Sequence, residues 1–496
     1  MPFNSLHFIY FFPTVVFLYF AIPSKFRWML LLAASYYFYM SWRVAYAGLI
    51  IASTLVVYFT AIWIEEATDS RRKQLFLGMS VVFNLGILFA FKYFNFLSTS
   101  LQQLFDHWQL GYRAPIFDVL LPVGISFYSF QVVGYSIDVY RGDKTAERHL
   151  GIFALFVCFF PQLLAGPIAR AGNLIPQFFE KHDFDYIRVT DGLKQMFWGL
   201  FKKVVIADRL AVLVDTVYAQ PTNYSGFALL LASVFFIFQV YCDFSGYSDV
   251  AIGAAQVMGY RLATNFNRPY AARSVPEYWR RWHMSLTTWF MDYLYLPTVV
   301  KRRNWGFRLA VVWATMVTFT LSGLWHGAYW TFIVFGMIHG VALCLEVLTR
   351  RPRKRLTAFI PPRVYSYLCL VGMLAFLSCV DVFFRASTMS DALYIIPQMT
   401  LGTVRDLWGL VLAHFSPVAA NLLIQGLILD RYDILLAIVL IVFLEIVQLI
   451  QSKVVIREYL RERPTWQRWT VYYAMTVAFL LLGSFNDSVQ FIYLQF

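Results

Sequence analysis

Three histidines fall within 57 residues of this chain, and each keeps aromatic or glycine company. His326 stands in Gly323-Leu-Trp325-His326-Gly327, His339 in Phe335-Gly336-Met-Ile-His339-Gly340, and His283 in Trp279-Arg280-Arg281-Trp282-His283. Imidazole is the side chain whose ordinary pKa lies nearest neutrality, so it is suited to take a proton from a hydroxyl. An ionisable group in apolar surroundings is costly unless it is paired or faces a wet cavity, which makes His326 a functional candidate. Thirteen positions separate His326 from His339. At 100° per residue that is about 220° around one straight helix, so direct pairing within one helix is not expected. A bend at the glycines would be needed to turn both into one cavity.

Other polar residues of the same region carry two readings each. Arg280 and Arg281, with Trp282, could grip a phosphorylated donor such as coenzyme A, for which guanidinium geometry is apt. They could equally anchor an interface between membrane and water. Asp243 and Asp249 bracket the run Asp243-Phe-Ser245-Gly246-Tyr-Ser248-Asp249. They could polarise a histidine, but structural duty is the leading expectation, because Ser and Gly there permit close helix contact. Trp325 joins the candidate cavity residues by its place beside His326. Lys92 and Glu346 read as a span-end snorkel and an interfacial acid. The five cysteines, 158, 242, 344, 369 and 379, lie in apolar runs without metal-like spacing, so neither a metal site nor a disulfide framework is expected.

The elements that must position these residues are membrane helices. Of 496 residues, 59 % are hydrophobic and 14 % charged, against about 25 % charged in an ordinary soluble domain. Mean hydropathy is +0.59. Apolar runs of spanning length recur near 5–22, 28–50, 49–64, 75–97, 116–137, 150–166, 228–248, 309–322, 327–348, 367–384, 434–451 and 469–485. Several abut or fall short, which predicts an all-α integral membrane protein of roughly ten to twelve crossings. Residues 192–207 and 283–297 read as amphipathic or re-entrant. The first run has Pro13 and no basic segment before it, so it is expected to be a retained span rather than a cleaved leader.

The net charge of +13 does not point to nucleic acid. Its basic residues gather in short connections at 301–308, 350–363 and 453–468, the pattern of cytoplasmic loops, which can also meet anionic lipid. Residues 386–433 hold two basic and four acidic residues and read as an extracytoplasmic excursion. No linker or internal repeat is visible, so one domain over 1–496 is expected, with a motif-bearing core at 121–348. Irregular backbone survives at membrane depth only when buried in protein or lining water, so that core should enclose a funnel or tunnel.

The motifs, taken in order, resemble the membrane-bound O-acyltransferase family, in its bacterial branch of alginate O-acetylation and teichoic acid D-alanylation. The resemblance runs from Phe3-Asn4-Ser5 and Phe11-Phe12-Pro13 through Leu121-Pro-Val-Gly124-Ile-Ser126-Phe127-Tyr128, Asp138-Val-Tyr140-Arg141-Gly142, and Phe160-Pro161 with Ala165-Gly166-Pro167. It continues through Asp243 to Asp249, Glu277-Tyr-Trp279 to Ser285, and Asp292-Tyr-Leu-Tyr295. Gly323 to Gly327, Phe383-Phe384-Arg385-Ala386 and the terminal Gln490-Phe-Ile-Tyr complete it. Each is weak alone; the ordered series is specific. Met291 and the loop Pro297-Thr-Val-Val-Lys301-Arg302-Arg303-Asn304 depart from the family's Arg and Gly-Gly-Asn-Arg pattern, so no donor-docking mode is carried over.

The resemblance implies that His326 is the catalytic base, with His283 in either a supporting, positioning role or a structural one. It implies an acyl thioester, acetyl-CoA or a carrier-protein thioester, as donor substrate from the cytoplasmic side, with no permanently bound cofactor. The acceptor is then a hydroxyl reached from the outer side of the cell membrane, with extracytoplasmic polysaccharide-acetylation proteins as partners. D-alanyl transfer from a carrier protein is the nearest alternative. A secondary transporter or acyl-group channel without covalent chemistry, and a scaffold for a polysaccharide-modifying complex, are the rivals from other classes.

Overall fold

A computed structural model describes residues 1–111, 113–117, 121–413, 431–485 and 491–492. The chain is helical, and no strand occurs among the described residues. The first half carries α1 (Leu6–Ala21), α2 (Arg27–Met40), α3 (Tyr46–Glu66), α4 (Ser70–Leu88), α5 (Phe94–His107), α6 (Ile125–Arg141) and α7 (Leu150–Cys158). Next come the short α8 (Ala171–Leu174), α9 (Tyr186–Phe201), α10 (Asp208–Ala219) and the long α11 (Gly226–Met258). The core segment adds α12 (Val275–Trp279), α13 (Met284–Phe290), α14 (Leu296–Lys301), α15 (Phe307–His326) and α16 (Trp330–Leu348). The remainder is α17 (Arg350–Leu356), α18 (Pro362–Arg385), α19 (Met389–Pro397), α20 (Thr403–Leu412), α21 (Arg431–Gln451), α22 (Ile456–Arg461) and α23 (Thr465–Leu482).

Seven helices among the described residues are long and apolar enough to cross a membrane: Tyr46–Glu66, Ser70–His107, Gly226–Met258, Phe307–His326, Trp330–Leu348, Pro362–Arg385 and Tyr432–Gln451. Among the described residues, full-length helices account for seven of the roughly ten to twelve expected crossings. The run at 28–50 is broken between Met40 and Tyr46, and that at 150–166 stays helical only to Cys158. The expected spans at 5–22 and 469–485 form helices of 16 and 18 residues. Hydropathy registers apolar side chains whatever the backbone does, and buried chain need not be continuous helix. Part of the 116–137 reading (118–120) and of the 386–433 reading (414–430) lies outside the described residues.

α11 is the axis. It runs for 33 residues, about 50 Å at 1.5 Å per residue. Its apolar stretch is 78 % buried, against 17–44 % for the other six helices, so the others face outward and α11 does not. From Phe244 onward it packs into the cluster built mainly by α1–α4, α6 and α7. Before Cys242 it packs into a second cluster with α10, α18 and α21. A helix apolar on all sides belongs in such a position. The outer helices keep apolar side chains exposed, among them Leu435, Val439, Val442 and Ile446 on α21, as lipid contact requires.

Close crossings depend on glycine. A Cβ on Gly246 of α11 would stand 2.7 Å from the Gly199 carbonyl oxygen of α9, which explains the Ser-Gly pair in the acidic motif. α15 and α16 form an antiparallel hairpin whose tip is Gly327–Tyr329. There a Cβ on Gly323 would run into the Phe332 carbonyl oxygen and one on Gly336 into that of Phe319. Gly323→Ala is expected to destabilise the protein by about 1–3 kcal/mol through this overpacking. Thermal aggregation in detergent reads it, and an unchanged midpoint would mean the hairpin can open without cost.

Candidate active site

His326 is the last residue of α15 and is 4 % exposed. Its ring lies against Trp325 (centroids 5.1 Å apart), Phe384 of α18 (5.5 Å) and Phe335 of α16 (6.1 Å). The helix ends there because Gly327 leaves for extended backbone. The histidine thus sits at a helix terminus beneath aromatic cover rather than in mid-span.

His283 reaches the same place from another element. It precedes α13 in the left-handed backbone region, with φ of 42°, a conformation that costs a non-glycine residue energy and is kept where the surroundings dictate it. Its ring stands 5.9 Å from that of Trp325, so His283 and His326 touch one indole. Nδ1 lies 3.1 Å from Asn265 Oδ1. The same oxygen accepts from Ser285 Oγ at 2.9 Å and the Ser285 N–H at 3.3 Å, and Asn265 Nδ2 donates to Ser248. This network assigns the proton to Nδ1 and leaves Nε2 as the ring's acceptor.

His339 joins through Phe335, whose ring is 4.8 Å from it. It is fully buried, and its Nδ1 accepts from Trp279 Nε1–H at 3.3 Å. The 220° of a single helix does not apply, because the chain breaks at the hairpin tip and returns. All three histidines therefore line one aromatic chain: His283, Trp325, His326, Phe335, His339.

The remaining expected residues lie around this core. Trp282 is buried and stacks on Tyr278. Arg281 pairs with Glu277 (2.8 Å) and donates to the Asn267 carbonyl (3.2 Å), while Arg280 is exposed. Burial opposes ionisation of Glu277, but the Arg273 N–H and the Arg281 guanidinium outweigh it and hold the carboxyl below its ordinary range. Asp243 and Asp249 bind lysines: Asp243 holds Lys203 Nζ at 2.6 Å and Asp249 holds Lys202 Nζ at 2.7 Å. Lys203 also pairs with Asp208 at 2.8 Å, and Asp243 accepts the Ile492 N–H at 2.8 Å. The acids therefore tie α11 to the helical turn after α9 and to the C-terminal segment. Among the described residues no three His, Cys, Asp or Glu side chains are placed to hold a metal.

A cavity of about 1710 Å³ opens beside this core, between α9, the second half of α11, the 260–268 loop and α21–α23. Arg188, Arg268 and Arg457 line it together with Lys202, Asp249 and Asn265. Asn265 thus faces the cavity region on one side and fixes His283 on the other.

Four residues of this arrangement escaped the sequence. Asn265 gave a signal in Asn265-Phe-Asn267-Arg-Pro269, a polar stretch just after the helix-ending Gly259. Lys202 and Lys203 follow α9 in a run that reads as an amphipathic face. Lys92, read as a snorkel, instead donates from Nζ to the Trp325 carbonyl at 2.7 Å, to the His326 carbonyl at 3.3 Å and to the Ser126 hydroxyl oxygen at 3.3 Å.

Comparison with known proteins agrees with the motifs. The family model for the membrane-bound O-acyltransferase family matches residues 147–378. The probable alginate O-acetylase AlgI of Azotobacter vinelandii is 42 % identical over 70 % of this chain and 68 % of its own length. The peptidoglycan O-acetyltransferase of Helicobacter pylori is 33 % identical over 85 % of the chain and 83 % of its own. The teichoic acid D-alanyltransferase of Streptococcus thermophilus is 30 % identical over 47 % and 58 %. With seven apolar helices of spanning length and matches of this extent, the chain belongs to the membrane-bound O-acyltransferase family and is a membrane O-acyltransferase.

Proposed function

We propose that the protein moves an acetyl group from a cytoplasmic thioester, such as acetyl-CoA, to a hydroxyl on the extracytoplasmic side, in O-acetylation of an exopolysaccharide such as alginate. The observation that carries this reading is the convergence of His326 and His283 on Trp325, with His283 bonded to Asn265 on the wall of a large basic-lined cavity. His326 takes the proton of the acceptor hydroxyl as its oxygen attacks the thioester carbonyl. The tetrahedral intermediate collapses, the carbon–sulfur bond breaks, and the thiolate leaves with the proton from His326. An ester and a free thiol result, with no other reactant consumed. His283, its Nδ1 committed to Asn265, supports this step by positioning.

The cavity is the donor's entry. Arginines on its wall suit the phosphates of coenzyme A, and Arg457 belongs to the basic 453–468 connection. Asp406, in the described part of the outer excursion, lies at the opposite end of α11, where it accepts from the Phe227 N–H. That end is the docking place for an extracytoplasmic partner protein.

Purified protein in nanodiscs, given acetyl-labelled CoA, is expected to release free CoA faster when an alginate oligosaccharide is added. A D-alanyl thioester of a small acidic carrier protein serves as the parallel donor. Turnover of that donor alone would replace acetyl transfer with D-alanyl transfer. No thiol release from either donor, with acceptor present, would remove both.

A further inference from the structure

The end of α15 has to be held. The last carbonyls of a helix have no partner within it, and a buried end left without partners is unstable. Gly327 N–H reaches back to the Gly323 carbonyl only at 3.4 Å. The carbonyls of Trp325 and His326 go instead to the ammonium group of Lys92. A cation at a helix C-terminus also meets the negative end of the helix dipole.

Lys92 is delivered by local structure. Between α4 and α5 the helix widens for Phe89–Tyr93 into a turn with one extra residue, the kind of irregularity that re-aims a side chain at a functional site. From there the half-buried Lys92 spans to α15, and its Nζ lies 5.9 Å from the centre of the Trp325 ring. Ser126, in the second motif of the chain, accepts at 3.3 Å from the side of α6. An ammonium group has three protons, and these three oxygens are three acceptors. None remains for a substrate oxygen.

We propose that Lys92 is a positioning residue for His326, fixing the last turn of α15 so that the imidazole and the Trp325 indole keep their places. The inference rests on His326 being the base. Loss of the clamp frees the helix end without touching the donor cavity. A displacement of about 1 Å in a reacting group costs on the order of 100-fold in rate.

The test uses the full-length protein in nanodiscs, with acetyl-CoA and an alginate oligosaccharide, and reads kcat and KM separately. Lys92→Met is expected to lower kcat about 100-fold while KM for acetyl-CoA stays within about twofold. Lys92→Cys, smaller and easier to accommodate, is expected to behave the same way. Treating it with 2-bromoethylamine builds a near-isosteric ammonium side chain and should restore kcat to within about threefold of the parent. Recovery must be absent when His326→Ala is present as well. Wild-type kcat in either variant, an effect confined to KM, or no recovery after complete aminoethylation shown by mass spectrometry would each overturn the proposal. If His326→Ala itself turns over normally, the base assignment fails. If His326→Ala is inactive and Lys92→Met is not impaired, only the clamp fails.

Discussion

His326→Ala is expected to lower kcat for thioester turnover by about a thousandfold, within the range that general-base catalysis supplies. The protein should otherwise remain folded. The His326 ring packs against Phe335 and Phe384, so truncation opens a void, but no helix depends on the imidazole for its continuity. His326→Gln keeps more of the volume and cannot act as a base, and it should be as inactive as the alanine variant. KM for the donor should change little, since the cavity-lining residues do not include His326. Release of free CoA in nanodiscs measures all of this. Equal release from His326→Ala and the parent would sink the enzymatic role of this residue, and a scaffold or channel reading would then have to explain the cluster.

Lys203→Met is the second large effect, and it concerns stability. Lys203 is 1 % exposed, and its ammonium group lies between Asp243 and Asp208. Removing the cation leaves two buried carboxylates facing each other without compensation. Breaking a buried ion pair in this way costs about 3–5 kcal/mol, a large part of the stability of most domains. The variant is expected to accumulate poorly and to aggregate at a markedly lower temperature in detergent. Replacing Asp243 as well, in Lys203→Met/Asp243→Leu, should recover part of the loss, because one uncompensated charge goes with it. A double variant as unstable as the sum of its parts would mean that the two residues do not act as a pair. The Ile492 N–H also ends on Asp243, so accelerated proteolysis of the C-terminus should accompany the loss.

The sequence revealed the medium, the family and the three histidines, because each rests on residue type and order. Composition alone separates a chain with 14 % charged residues from a soluble one. What stayed hidden depends on which distant residues meet. Structural duty is the leading expectation for Asp243 and Asp249 from the sequence, but only the fold shows that lysines are the groups they hold. Lys92 carries no local sign of its role, since two of its three acceptors are backbone carbonyls more than 230 positions away. The helical arithmetic for His339 failed for a related reason, as the helix assumed there is two helices.

The widened turns bear on how this chain tolerates length changes. Lys92 lies in one, Phe89–Tyr93, and Lys202 and Lys203 lie in another, Lys202–Ala207. Each contains one residue more than an ordinary turn needs. Deleting a single residue there would regularise the helix and leave it looking healthier by any local measure. The segments on either side would keep nearly their present phase, because the wide turn already absorbs the extra residue; what would change is the aim of the side chains inside the turn, pulling Lys92 off the end of α15 or Lys203 off its two carboxylates. At these two places the surplus residue leaves the helices before and after it in step and spends itself on turning one lysine toward its acceptors.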